Sequence, residues 1–204
     1  MRAPLRFLLI GLASAGPALS ALAGPVVIQV TDAAGKPLAD AVALLDPAAG
    51  KAPVQPLPDA EISQAKRAFN PRVTLITVGT KVNFPNFDTV RHHVYSFSQA
   101  KTFELKLYAG VPTAPIAFDK PGIAVLGCNI HDRMAAWVVV ADTPWSARSG
   151  ADGLARIEAV PPGAYKVTVW HPGLAADSVP TPMTLAVAAG ELRYTAKLAV
   201  SAEP

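Results

Sequence analysis

The chain has 204 residues, 51% of them hydrophobic and 16% charged, with 20 prolines, one cysteine and a formal net charge of +3. Proline near a tenth of the chain, roughly twice the usual share, disfavours an all-helical bundle, because each interior proline removes a helix hydrogen bond. One cysteine excludes an internal disulfide, a multi-cysteine zinc cage and a C-x-x-C-H haem run, and so small and scattered a charge excludes a nucleic-acid footprint.

Arg2 and Arg6 precede an apolar run from Phe7 to Ile10, continued in small residues to Ala23. Ala21-Leu22-Ala23 has the small-x-small form of a signal-peptidase site, which predicts a signal peptide over residues 1–23 and an exported, periplasmic protein. Gly11, Gly16 and Pro17 interrupt the run and no charged flank stops transfer, which argues against a permanent anchor. Beyond it no run of about 18 apolar residues occurs, so a multi-span membrane protein is excluded. Export places Cys128 in an oxidising compartment, where a thiol persists when it is buried or bound.

Short β-branched segments then follow one another: 26–30, 41–45, 72–78, 81–84, 93–97, 102–107, 116–118, 123–128, 136–140, 154–159, 164–170, 185–187 and 194–200. Turn residues separate them, as at Gly79-Thr80, Asn86-Phe87-Asp88 and Pro161-Pro162-Gly163. Residues 47–60, with Pro47, Pro53, Pro56 and Pro58, and residues 142–153 read as loops. No amphipathic helix of ordinary length is predicted. The pattern is all-β, of sandwich type.

The opening segment, with Gly35-Lys36-Pro37-Leu38-Ala39-Asp40-Ala41-Val42, resembles the start of the carboxypeptidase regulatory-like domain. The D-x-G and P-P-G-x-Y turns of that family appear only at Asp152-Gly153 and Pro161-Pro162-Gly163-Ala164-Tyr165. The resemblance implies a small Ig-like sandwich built from residues 24–48 and 147–204. Residues 55–141 form a second domain inserted between its halves. Two consecutive domains is the alternative, but a lone two-strand piece could not bury its own face.

Cys128-Asn129-Ile130-His131-Asp132-Arg133-Met134 spells C-x2-H-x2-M. A thiolate and a thioether are soft ligands suited to copper(I), and imidazole suits copper in either oxidation state. A His2Cys site with a weak axial Met is the arrangement of blue-copper electron-transfer proteins, and the local motif lacks only a second histidine. Taken singly, Cys128 and Met134 could be core residues and His131 a surface residue.

Val82-Asn83-Phe84-Pro85-Asn86-Phe87-Asp88-Thr89-Val90-Arg91-His92-His93-Val94 supplies histidines in the form V-x-F-x-N-x-D-x3-H-x-V, which resembles the cupredoxin pattern. The likeness extends over residues 66–141, and its short spacings are more similar to amicyanin than to plastocyanin. Arg91-His92-His93-Val94-Tyr95-Ser96-Phe97-Ser98, Gly127-Cys128-Asn129-Ile130-His131-Asp132 and Trp170-His171-Pro172 also resemble exported proteins of the methylamine utilization type. The resemblance implies a cupredoxin-like sandwich with a copper cofactor held by His92, Cys128, His131 and Met134. The offset from Asp88 favours His92, but His93 remains the alternative, since successive strand residues face opposite sides. His171 reads as a loop residue. No aromatic precedes Cys128, and Arg133 puts a positive charge in the ligand loop.

No nucleophile dyad or open carboxylate cluster accompanies these ligands. The expected function is single-electron transfer between redox proteins, such as a cytochrome or a dehydrogenase, without enzymatic activity. Copper delivery and a non-metal, for example carbohydrate-binding-like, double sandwich are the alternatives.

Overall fold

The structure is a computed structural model that describes residues 23–131, 133–175 and 182–200. The predicted signal peptide up to residue 22, and Asp132 of the C-x2-H-x2-M run, lie outside the described residues. The chain is all-β, and among the described residues there is no helix long and apolar enough to cross a membrane.

The strands in chain order begin with β1 (Gly24–Asp32), β2 (Val42–Pro47), β3 (Ala60–Glu61), β4 (Ser63–Ala65), β5 (Ala68–Asn70) and β6 (Val73–Thr77). Next come β7 (Lys81–Asn83), β8 (His92–Ser98), β9 (Lys101–Tyr108), β10 (Ile116–Ala117), β11 (Gly122–Gly127) and β12 (Ala135–Ala141). The last are β13 (Ser146–Arg148), β14 (Leu154–Val160), β15 (Gly163–Trp170), β16 (Met183–Val187) and β17 (Leu192–Leu198).

The sheets segregate the strands into two groups. Sheets β14-β1-β17 and β13-β2-β15-β16 combine the first two strands with the last five. Alternation on β1 (Val26, Ile28, Val30) and β15 (Tyr165, Val167, Val169) sends one residue in two into a shared core with Leu45, Ala155 and Ile157. Sheets β6-β12-β11-β8-β9 and β10-β7-β3, with the β4-β5 hairpin, contain the rest. Their core takes Ala124 and Leu126 of β11, Ala136, Val138 and Val140 of β12, Val94 of β8, and Phe84 and Phe118.

The other face of β12 is apolar too. Val73, Val139 and Trp170 are buried together with Val42, and Leu44, Leu75, Ile123 and Trp137 pack against them. The rings of Trp137 and Trp170 lie 6.5 Å apart, and the Arg72 guanidinium stands 5.0 Å over Trp137. Arg148 donates both to the Val73 carbonyl (2.9 Å) and to Asp40 (3.0 Å), tying β6 to the other group of strands.

Four short strands were not expected. The β4-β5 hairpin and β13 fall outside the predicted segments, and β3 begins at the last residue of the predicted 47–60 loop. The hairpin turn, Lys66-Arg67, has no Gly or Asn, yet both residues have positive φ (55° and 60°). Such a turn gives no composition signal. Strand β13 is stabilised by pairing with β2, a neighbour about a hundred residues away in sequence, so no local pattern announces it.

Trp170 is 9% exposed at the centre of the junction. Replacing it with Ala should cost about 3 kcal/mol or more by emptying a packed site. Urea unfolding should show the loss in both groups of strands; an unchanged midpoint would refute the shared core.

Candidate metal centre

The loop end of the larger core is assembled by side-chain amides and carboxylates. Asn86 is buried, and its Nδ2 donates to the carbonyls of Val90 and Tyr108, each at 2.9 Å. Its Oδ1 accepts from the Asp88 amide (3.0 Å), and its backbone exchanges hydrogen bonds with Gly110. One residue thus fastens the 86–91 loop to the end of β9.

Asp88 then fastens this loop to the β4-β5 hairpin. Its carboxylate accepts from the Lys66 amide (2.7 Å) and the Arg67 amide (2.8 Å). A left-handed residue other than glycine costs roughly 1–2 kcal/mol, and the hairpin holds two in a row. The charge-assisted bonds to Asp88 offset that cost. The Arg67 amide above all, with the Lys66 amide and nearby positive charge, holds the Asp88 carboxyl below the usual carboxylate range.

The adjacent histidines of β8 diverge. His92 is fully buried and shares its parity with Val94 and Ser96, both wholly buried. His93 takes the other face, where its Nε2–H donates to Glu104 at 2.9 Å. Asp88 Oδ2 approaches His92 Nε2 only to 3.5 Å, and neither ring nitrogen of His92 has a hydrogen-bond partner. Burial, more than any charge, pushes the His92 pKa down and favours the neutral imidazole; Asp88 opposes this, and His131 and Arg67 add to it.

β8 and β9 slip by one residue here. His92 faces Tyr108 while Val94 faces Leu105, so β9 holds an extra residue at Lys106-Leu107. The irregularity turns Tyr108 to the same side as Phe103 and Leu105, against the core. Tyr108 donates to the Phe84 carbonyl (2.6 Å) and accepts from Gln64, itself fully buried. Burial first, and the nearby Cys128, push the Tyr108 hydroxyl up to about 12.

The remaining candidates lie on the connection from β11 to β12. Cys128 continues the inward parity of Ala124 and Leu126, and it is a free, buried thiol. The Met134 amide closes a turn onto the His131 carbonyl at 2.9 Å, and the Met134 side chain is 2% exposed in the same core. The rings of His92 and His131 meet edge to face with centroids 5.2 Å apart, and His131 Nδ1 is buried without a partner. Cys128 and Met134 also line one groove of about 640 Å³ with Tyr95, Phe97, Val125 and Gly127. The Tyr95 ring packs directly on Gly127, where a Cβ would lie 2.6 Å from Tyr95 Cζ and would push the ring aside.

Among the described residues no three His, Cys, Asp or Glu side chains gather into a metal-binding group. What the fold does bring together is the His92–His131 pair, while the Cys128 thiol and the Met134 thioether belong to the apolar core of the same sandwich. By donor chemistry they fit a soft metal ion such as copper, and the three partnerless nitrogens of His92 and His131 are atoms such an ion would satisfy; His93 Nδ1, on the other face, is partnerless as well. His171 is not part of this centre. It is a buried loop residue, whose Nδ1 accepts from the Gly173 amide and whose Nε2–H donates to the Ala39 carbonyl. Sequence reasoning overlooked Asn86, Gln64 and Tyr108 as supports of the centre; an Asn at a strand end was read only as a turn signal.

No family model and no curated protein matches the chain. Solved structures similar to it include the reduced Cu(I) form, at pH 4, of a point mutant of amicyanin, 17% identical with a TM-score of 0.37. That likeness covers 48% of this chain and 97% of amicyanin. The purple cupredoxin from Nitrosopumilus maritimus is 24% identical with a TM-score of 0.33, over 40% of this chain and 99% of that one. The Cu-containing nitrite reductase from Thermus scotoductus SA-01 is 26% identical with a TM-score of 0.38. The match covers 56% of this chain but only 28% of the reductase.

Asp88→Asn should destabilise the metal-free protein by about 2 kcal/mol at pH 7, since a charged acceptor of two amides is lost. A carboxyl with a depressed folded pKa stabilises above its ordinary pKa, and the effect fades as pH falls through the lower folded value. The gap between the two proteins should therefore shrink below about pH 4, as read by urea titration at several pH values. A gap that does not change with pH would refute the clamp.

Proposed function

We propose that this chain is an exported, periplasmic type 1 (blue) copper protein that carries single electrons between redox proteins and is not itself an enzyme. His92, Cys128, His131 and Met134 would hold the copper. The two facing imidazoles carry the reading. Three of their nitrogens are buried without a hydrogen bond, and each bare polar atom costs about 1–3 kcal/mol unless something satisfies it. A free thiol and a thioether in the same region supply the soft donors that copper(I) prefers.

Copper bound there would supply one-electron chemistry through its copper(II) and copper(I) states. The protein's part is to hold its donors still. His92 sits in the sheet beside Val94, and Cys128 continues the inward row of β11. Asn86 and Asp88 fasten the loop between them to two other segments. Donors fixed by a rigid frame rearrange little when charge changes, which favours fast exchange. His131 is the one residue of the four that is only half-buried, so its ring is the one an outside partner would meet.

Within the same reading, residues 55–141 are the copper domain. Residues 24–48 and 147–204 form a carboxypeptidase regulatory-like sandwich that stabilises it. Similarity to the methylamine utilization type rests on the motifs around His92, Cys128 and Trp170.

Copper(II) added to the purified protein should give an intense thiolate-to-copper band in the visible. Cys128→Ser and His92→Gln should abolish it, whereas His93→Gln, altering a buried residue of the opposite face already paired with Glu104, should keep it. A colourless wild-type protein that retains no copper would refute the proposal. Loss of the band in His93→Gln but not in His92→Gln would reassign the histidine ligand.

A further inference from the structure

The loop end that carries His131 has a distinctive surface. Phe87, Val90, Leu107, Val111 and Ile130 are all exposed there, Phe87 at 66% and Val111 at 67%. The bonds already described place them together. Asn86 fastens Val90 and Tyr108, the Asn86–Gly110 pairing brings Val111 alongside, and Leu107 and Ile130 line one shallow cavity with His93 and Lys106.

Around this apolar centre stand five exposed cations: Lys66, Arg67, Arg91, Lys106 and Arg133. None of them has an ion pair among the described residues; Lys36, Lys81, Lys120, Lys166 and Lys197 elsewhere are unpaired too, so it is the gathering of five such cations around one apolar patch that sets this end apart. The acids of this end are otherwise engaged. Asp88 is spent on the hairpin amides, and Glu104 on His93. Asp132 lies outside the described residues. The left-handed hairpin turn, held by Asp88, puts Lys66 and Arg67 in this ring although neither residue suits the conformation.

We propose that this end is the docking surface for an acidic redox protein, one that presents carboxylates around an apolar contact. The inference rests on the copper reading and names the partner chemistry of that same site. Unpaired cations steer an oppositely charged partner and set its orientation, and the apolar centre then excludes water above His131. Nucleic acid also carries negative charge, but its bases cover a surface by stacking on aromatic rings, and of the five side chains only Phe87 is aromatic. A salt-sensitive, readily reversed contact suits a carrier that must leave after each electron.

The first arm of the test uses the metal-free, isotope-labelled protein and a hexaglutamate peptide at low salt. Amide shifts should concentrate at residues 66–67, 91, 106–107, 130–131 and 133. Arg91→Glu combined with Lys106→Glu should weaken binding about tenfold, while Lys197→Glu, on the other sandwich, should change it less than twofold. The second arm oxidises the reduced copper-loaded protein. Each copper(I) passes one electron to anionic hexacyanoferrate(III) or to cationic tris(phenanthroline)cobalt(III), and no bond or proton changes hands. Added salt should slow the anionic oxidant about tenfold and slow the cationic one not at all.

Shifts on other faces, equal losses in the double variant and Lys197→Glu, or tighter binding of single-stranded DNA than of hexaglutamate would overturn the proposal. A protein that holds no copper would refute the electron-transfer reading. The peptide arm would still report on the surface.

Discussion

A sheet that is apolar on both faces needs a partner on each, and the sheet β6-β12-β11-β8-β9 is of this kind. Its inner face covers Phe84, Phe118 and the Cys128 region, and at the β6-β12 end its outer face covers Val73, Val139 and Trp137. Exposing the second face would forfeit the burial of several large side chains, each worth about 1.5–3 kcal/mol. Val42, Leu44 and Trp170 supply the missing partner from strands at the two ends of the chain. Because β1 and β2 share sheets with β14 to β17, the chain closes around the larger core, and the sheet that holds the centre is braced from behind.

With the back of the sheet fixed, the loops at one end can bear strain. Two left-handed residues in the β4-β5 turn and a cluster of partnerless imidazole nitrogens are each unfavourable alone. They coincide at one end of one sandwich. Asp88 connects the two features, since its carboxylate binds the strained turn and stands 3.5 Å from His92. Costs of the same kinds occur elsewhere, at Asp40 and Ala159 and at the Thr31 and Thr74 hydroxyls; at this end they are linked through one carboxylate.

Much of this was legible in the sequence where periodicity reports burial directly. The strand-like segments 93–97 and 123–128 anticipated β8 and β11 to within a residue, and the turn signals at Gly79-Thr80 and Pro161-Pro162-Gly163 marked real strand ends. The short strands β4, β5 and β13 were not legible, since each exists through a distant partner. Asp88 makes the β4-β5 turn possible without glycine, and β2 makes β13 a strand. Tyr108 escaped notice for a related reason. A one-residue slip against β8 sets its direction, and an alternation count along β9 alone points it the wrong way.

The single cysteine marks the boundary between the two kinds of information. By itself the sequence determined an all-β chain with a soft-ligand motif, because strand alternation and donor chemistry are local properties. It left His92 and His93 distinguished only by parity and by a family pattern. Tertiary structure decided the rest, through contacts with no sequence neighbourhood. His92 is buried against His131 while Glu104 engages His93 on the opposite face, and Arg67 reaches the same end from a hairpin some twenty-five residues before His92. Which groups share a volume is set by how sheets stack and where loops are tied, and no local pattern encodes that.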